Sequence, residues 1–428
     1  MSEKAADVSF RDALAVWLKI GCLGFGGPAG QIALMHRVLV DEKKWVEESR
    51  YLHALNFCML LPGPEAQKLA TYVGWLLHGT RGGLAAGILF VLPGALVMLS
   101  VSLLYVLGQG IPVVEGALFG IKAAVLVIVV EALLRIGRRA LKTRLLVGLA
   151  AAAFVGIFFL DLPFPLIVAA AALAGYATTR GVSLQSRKEP GRWRQAAAAL
   201  LIGGALWWTP IALAAVFLGA SHVLVQAGLF FSKLAVVSFG GAYALLAYMA
   251  QQAVENYGWM SAAEMVDGLG LAETLPGPLI KITQFVGFLG AWRNAEPLSP
   301  MASAILGSAL TTWVTFVPPM LLIFAGAPFV EQLRSNARLS GALAAITAAV
   351  VGVILNLTVW FVLHVLFSDV QEARAGPLRW YAFDPLGIDL QVAALALVAA
   401  VLAFRLHRGL IQLVAIMAAL GIAVRLLL

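Results

Sequence analysis

Residues 19–28 read KIGCLGFGGP and residues 233–242 read KLAVVSFGGA, while residues 60–64 read LLPGP and residues 274–278 read TLPGP. These four stretches decide the fold, because each sets glycine, and three of them proline, inside otherwise apolar sequence. They are also copies of one another. Lys19–Pro64 aligns without a gap on Lys233–Pro278, a constant shift of 214, with 13 of 46 positions identical. Among the identities are Lys19/Lys233, Phe25–Gly27/Phe239–Gly241, Trp45/Trp259 and Pro62–Pro64/Pro276–Pro278. With one residue deleted, Lys68–Gly74 then meets Lys281–Gly287, and at a shift of 225 Pro93 meets Pro318 and Gly116 meets Gly341. Internal repeats take precedence in reading a fold. The expected organisation is a first repeat over 1–180, a basic linker with an extra helix over 181–221, and a second repeat over 222–428.

The sequence around the repeats belongs in a bilayer. Of 428 residues 61% are hydrophobic and 12% charged, against roughly 25% charged in soluble domains. A spanning helix needs about 20 mainly apolar residues. Such runs are Leu84–Val106, Ala117–Leu134, Leu146–Leu160, Pro165–Ala177, Ala196–Leu218, Met301–Ala325, Ala342–Phe367, Leu390–Phe404 and Leu410–Leu427, the shorter of which need flanking residues to complete a crossing. They are continuously apolar, whereas a membrane β-barrel would alternate. The fold class expected is therefore an all-α polytopic membrane protein. The polar start, Met1–Asp12, lacks the basic stretch and apolar core of a secretory signal peptide, so the first helix is expected to direct insertion. Cys22 and Cys58 have neither CxxC spacing nor a histidine cluster nearby, which argues for packing rather than a disulfide or a metal site.

The formal charge of +8 is a matter of topology rather than nucleic-acid binding. The basic residues gather in two short connections, Arg135/Arg138/Arg139/Lys142/Arg144 and Arg180/Arg187/Lys188/Arg192/Arg194, and short loops of that kind stay cytoplasmic. The unmatched run Ala196–Leu218 then carries the chain outward, so the second repeat starts from the opposite side. Arg334/Arg338 and Arg405/Arg408 come out cytoplasmic on the same count. The repeats are thus expected to be inverted, with their broken or re-entrant helices meeting near mid-membrane.

Residues 17–36, WLKIGCLGFGGPAGQIALMH, followed by residues 60–72, LLPGPEAQKLATY, resemble the signature segments of the chromate ion transporter family in its long, two-domain form. The resemblance covers essentially the whole chain, and its motifs recur in order in each half. It implies efflux of chromate from the bacterial cytoplasm across the inner membrane, driven by the membrane potential or the proton gradient, and conferring chromate resistance. One departure is that the second copy has Ala242 where the first has Pro28.

Glycine and proline inside an apolar run break the helical hydrogen-bond ladder, and lipid tolerates the freed backbone groups only where they are buried or line a cavity. Paired breaks in two halves point to a transporter's binding site. Helices restarting at Gly26, Gly27, Gly63, Gly240, Gly241 and Gly277 would aim N–H groups and partial positive charge at an anion. The bland alternative is close helix packing at small residues. Ionisable groups within spans are functional candidates by default. Lys19 and Lys233 precede the Phe-Gly-Gly breaks and Lys68 and Lys281 follow the Pro-Gly-Pro breaks, as compact charges suited to a tetrahedral dianion; snorkelling to a headgroup is the rival reading. Glu65 and Glu273 are candidates for carrying a coupling proton or for pairing with a nearby lysine. Lys122, whose counterpart is Thr347, is equally a functional cation or a structural ion-pair partner for Glu131, whose own counterpart is Asn356.

No Ser/His/Asp set, metal cluster, phosphate loop or cofactor motif is present, so an enzyme is not expected and no cofactor is implied. The partners expected are chromate, with sulfate as the close rival, and the lipid bilayer; nucleic acid is not expected, and a homodimer stays open. A sulfate or related oxyanion carrier and a passive anion channel are the competing functions.

Overall fold

The computed structural model describes residues 8–179, 192–239, 242–327, 337–367 and 369–427. Gly240, Gly241, Arg180, Arg187, Lys188 and Arg334 lie outside the described residues. The chain is an all-α polytopic membrane protein, with one small β-hairpin among the described residues. Its helices are α1 (Phe10–Leu23), α2 (Gly27–His36), α3 (Glu48–Leu60), α4 (Glu65–Leu107), α5 (Pro112–Ala140), α6 (Arg144–Phe158), α7 (Phe164–Thr178), α8 (Arg192–Leu218), α9 (Val223–Val237), α10 (Ala242–Gln251), α11 (Ala262–Thr274), α12 (Ile282–Arg293), α13 (Pro300–Gly326), α14 (Ala337–Leu366), α15 (Leu390–Ala400) and α16 (Leu410–Leu427). Among the described residues six helices, α4, α5, α8, α13, α14 and α16, are long and apolar enough to cross a membrane. α8 shows what solvent they meet: Leu201, Val216 and Phe217 are 75–78% exposed, an apolar surface that lipid covers at no cost and water does not.

The two copies of the repeated sequence fold alike. α3 and α11 span equivalent residues, and α2 and α10 each run into a short π-helical turn, Arg37–Glu42 and Gln252–Asn256. The hydrogen bonds leaving those turns also recur. Lys43 N–H to Val38 O and Trp45 N–H to Leu39 O, at 3.0 and 2.8 Å, become Tyr257 N–H to Gln252 O and Trp259 N–H to Ala253 O, at 2.9 and 2.8 Å. After each Pro-Gly-Pro the chain makes a helical hairpin. α4 is interrupted at His78 (φ −137°) and Gly79 (φ +61°), so its arms 65–77 and 80–107 fold back along a seam of Gly74 on Gly82; α12 and α13 do the same with Gly287 on Gly307. The 65–77 arm is about 20 Å long, short of the ~30 Å hydrocarbon core.

By packing, the chain gathers into two compact units, each drawing on both sequence halves. The first comprises Met1–Ser100, Thr179–Ala242 and Leu275–Ser340. It holds α1, α2, α3, most of α4, α8, α9, α12 and α13, with α13 packed on α8, α9 and α12. The second comprises Val101–Thr178, Tyr243–Thr274 and Gly341–Leu428. There α5 packs on α11, α15 and α16, and a Cβ at Gly120 would strike the Met417 carbonyl. Such small-residue contacts let membrane helices approach closely.

The hairpin, β1 (Val370–Ala375) and β2 (Leu378–Phe383), lies between α14 and α15, in a polar segment that apolar-run reading passes over. Its two-residue turn begins at Gly376, φ +60°, a conformation glycine adopts freely. The hairpin delivers Arg379, 1% exposed, to the Ile157 carbonyl (2.7 Å) and to Asp161 (3.1 Å), Glu255 (3.6 Å) and Glu372 (3.8 Å). Burial pushes the Glu255 carboxyl above its ordinary range, with Arg379 pulling the other way. Of the cysteines, Cys58 is buried and Cys22 is exposed, so packing accounts for Cys58 only.

Gly120→Val is expected to cost about 1–3 kcal/mol through overpacking, read as a lower melting temperature in detergent. Gly204→Ala, where a Cβ meets nothing within 4 Å, is expected to leave it unchanged or slightly higher.

Candidate functional site

The repeated breaks organise the first unit. α1 ends at Leu23 and α9 at Val237, and the residues that follow, Gly24 (φ −74°, ψ 63°) and Ser238 (φ −78°, ψ 68°), turn the chain out of the helix in nearly the same way. The Pro-Gly-Pro glycines both adopt the left-handed region, Gly63 at φ +105° and Gly277 at φ +96°. Their N–H groups cross between the copies. Gly63 N–H donates to Ser238 O at 2.9 Å, and Gly277 N–H donates to Gly24 O at 2.9 Å. Since 63 + 214 is 277 and 24 + 214 is 238, these are one contact made twice with the copies exchanged. Each break therefore satisfies the backbone group freed by the other, as lipid demands.

The backbones at these crossings are close. A Cβ at Gly63 would fall on the Pro319 ring, and one at Gly277 would sit 3.2 Å from the Gly94 Cα. Positions 94 and 319 are themselves equivalent at a shift of 225.

Lys68 and Lys281 close the loops. Both are 1% exposed. The Lys68 ammonium donates to Leu61 O, and Lys281 donates to the equivalent Leu275 O at 3.0 Å and to Gly277 O at 3.3 Å. Each lysine thus places a full positive charge against the Pro-Gly-Pro turn that precedes it. Glu65, half-buried at the start of α4, is within electrostatic reach of Lys68, and Glu273 is 5% exposed at the end of α11.

The other sequence candidates are placed differently. Lys19 and Lys233 lie on exposed faces of α1 and α9, the placement a headgroup contact requires. Gly26 and Gly27 take positive φ, +84° and +67°, and open α2 at the edge of the first break, with Gly26 exposed. Of the two readings of Lys122, the ion pair holds, but its partner is not Glu131. Lys122 Nζ lies 3.4 Å from Asp267, while Glu131 pairs with Arg135 one turn on, at 3.8 Å. α11 brings Asp267 against α5, a packing that no local spacing encodes.

Three buried glutamines were not anticipated. Gln31 donates to Gly24 O (3.0 Å), Gln67 to Phe316 O (3.0 Å) and Gln284 to Ala95 O (2.9 Å), which tethers carbonyls beside the breaks and the proline kinks. Their Oε1 atoms are buried without hydrogen-bond partners. A scan for charged residues passes over them; a scan for any polar side chain within an apolar run finds all three.

The chromate transporter family model matches residues 11–176 and 225–423. The chain belongs to the chromate transporter family. A chromate transport protein of Pseudomonas aeruginosa is 34% identical over 358 residues, covering 81% of this chain and 80% of that protein. A chromate transport protein of Cupriavidus metallidurans is 26% identical, with 82% of each chain covered. An uncharacterized transporter of Methanocaldococcus jannaschii is 26% identical, covering 86% of this chain and 88% of its own. No solved structure matches. These relatives are named as transport proteins.

Gly63→Ala and Gly277→Ala are expected to lower stability by about 1–3 kcal/mol each, since both force a side chain into a left-handed backbone that is also crowded. The measurement is the detergent melting curve. Gly79→Ala, with positive φ but no neighbour within 4 Å, is expected to cost less than either.

Proposed function

We propose that this protein exports chromate from the bacterial cytoplasm across the inner membrane, driven by the membrane potential or the proton gradient, and so confers chromate resistance. The observation that carries the reading is the pair of buried lysines, Lys68 and Lys281, held at matched positions against glycine turns that exchange hydrogen bonds. Helix N-termini offer only about half a charge each, and a desolvated dianion needs more compensation than that. Two ammonium groups supply it. The substrate-binding set we assign is Gly26, Gly27, Gly63, Lys68, Gly240, Gly241, Gly277 and Lys281, with Lys19 and Lys233 in support; Glu65, within electrostatic reach of Lys68, balances it. Relatives named as chromate transport proteins over four-fifths of their length favour chromate over sulfate as the cargo.

Uptake into inverted vesicles, with chromate and sulfate compared under an imposed gradient, tests this directly. Accumulation of chromate against its gradient is expected; equilibration without accumulation would identify a channel, and preference for sulfate would identify the other carrier. Lys68→Gln and Lys281→Gln are expected to raise the half-saturation concentration roughly ten- to a hundredfold, the worth of one charge-assisted hydrogen bond, at unchanged protein abundance. Arginine at either position is expected to recover part of the loss. Unchanged half-saturation in both glutamine variants would falsify the cationic site.

We further propose that the repeats, 1–180 and 222–428, are related by a two-fold axis lying in the membrane plane. The exchanged hydrogen bonds at Gly63 and Gly277 are what a local two-fold produces, and the basic loops on either side of α8 support the inversion. Reporter fusions at 79–83 and 296–300 are expected on opposite sides of the membrane.

A further inference from the structure

Asp267 is 3% exposed in the second unit, on a face of α11 that packs against α5. Tyr105, at the end of α4, donates its hydroxyl to Oδ2 at 2.8 Å. Oδ1 accepts no hydrogen bond and has only the Lys122 ammonium, 3.4 Å away and itself a quarter exposed. Among the described residues the other charge acting on it is Glu264. Glu264, one turn earlier on α11, is engaged with the Ser261 N–H and hydroxyl, and Arg425, the one charged residue of α16, lies over the Phe119 ring at 5.3 Å.

A carboxylate buried among apolar helices with one hydrogen bond and one offset cation is costly to keep for packing alone. Its chemistry is that of a group able to accept a proton at Oδ1. The pair occurs once per chain: the positions equivalent to Asp267 and Lys122 are His53 and Thr347. Location adds a second argument. α11 ends at Thr274, and the next residue, Leu275, provides the carbonyl that holds Lys281. Along the chain, Asp267 thus stands eight residues before the start of the second break.

We propose that Asp267, positioned by Tyr105 and Lys122, is the site that binds and releases the proton moved with the transported oxyanion. This rests on the transport reading above and adds the coupling residue to it. A proton entering from one compartment bonds to Oδ1, neutralises the carboxylate and leaves the Lys122 ammonium unpaired; its release to the other compartment restores the ion pair. No other bond changes.

The test uses the full chain in proteoliposomes, with chromate as substrate and a pH-sensitive dye inside. Chromate counterflow, which needs no coupling, is recorded in parallel, so loss of counterflow by the native protein would count against the transport reading and not against Asp267. In the native protein a lumenal pH change is expected to track chromate flux. Asp267→Asn is expected to retain counterflow within about threefold while the pH change falls to background, and Asp267→Glu is expected to restore it in part. Tyr105→Phe, which leaves the carboxylate in place but removes a donor to its charged form, is expected to move the midpoint of the pH profile upward. The proposal is overturned if native chromate flux moves no protons, if Asp267→Asn still moves them in native ratio, or if Asp267→Asn and Asp267→Glu lose counterflow and proton movement together while folded. Should Asp267→Asn fail to insert, an unmoved pH profile in Tyr105→Phe overturns it as well.

Discussion

The structure depends on one constraint, that a backbone hydrogen-bonding group inside a bilayer must find a partner in the protein. Helices α1 and α9 stop short of a full crossing, and each Pro-Gly-Pro turn has a glycine N–H outside any helix. Either defect alone would be expensive in lipid. Paired across the copies, as Gly63 with Ser238 and Gly277 with Gly24, they cancel, and the breaks become stable features. Gln31 adds a second donor to the Gly24 carbonyl.

The same pairing explains where charge can reside. A lysine in an apolar span is costly unless its ammonium has hydrogen-bond acceptors. The carbonyls of Leu61 and Leu275, freed by the turns that follow them, are those acceptors. Broken backbone and buried cation thus stabilise each other, in both copies. The second unit applies the same rule with different groups: carboxylates join the Ile157 carbonyl around Arg379, and the Asp267 carboxylate faces Lys122.

Much of this was legible in the residues. Membrane placement follows from long apolar runs, and the repeat and its breaks follow from local sequence, with α3 and α11 on equivalent residues; the π-helical turns come from the structure alone. The buried lysines, Lys68 and Lys281, lie within the candidate set that the repeated motifs mark, and Lys19 and Lys233, the pair more open to snorkelling, are the ones found exposed. The glutamines and Asp267 went unremarked because their roles come from neighbours far away in the chain: Gln67 reaches Phe316 and Asp267 reaches Tyr105.

By itself the sequence determined that the chain is helical, lies in a bilayer, is duplicated, and is interrupted at glycine and proline. These are properties of composition and of neighbours within a few residues. Only the tertiary structure decided which break partners which, which lysines are buried, and that Lys122 faces Asp267 rather than Glu131. Those outcomes depend on helices from distant parts of the chain meeting, where one rotation of a helix moves a charge from lipid to core, and no periodicity along a single helix records it.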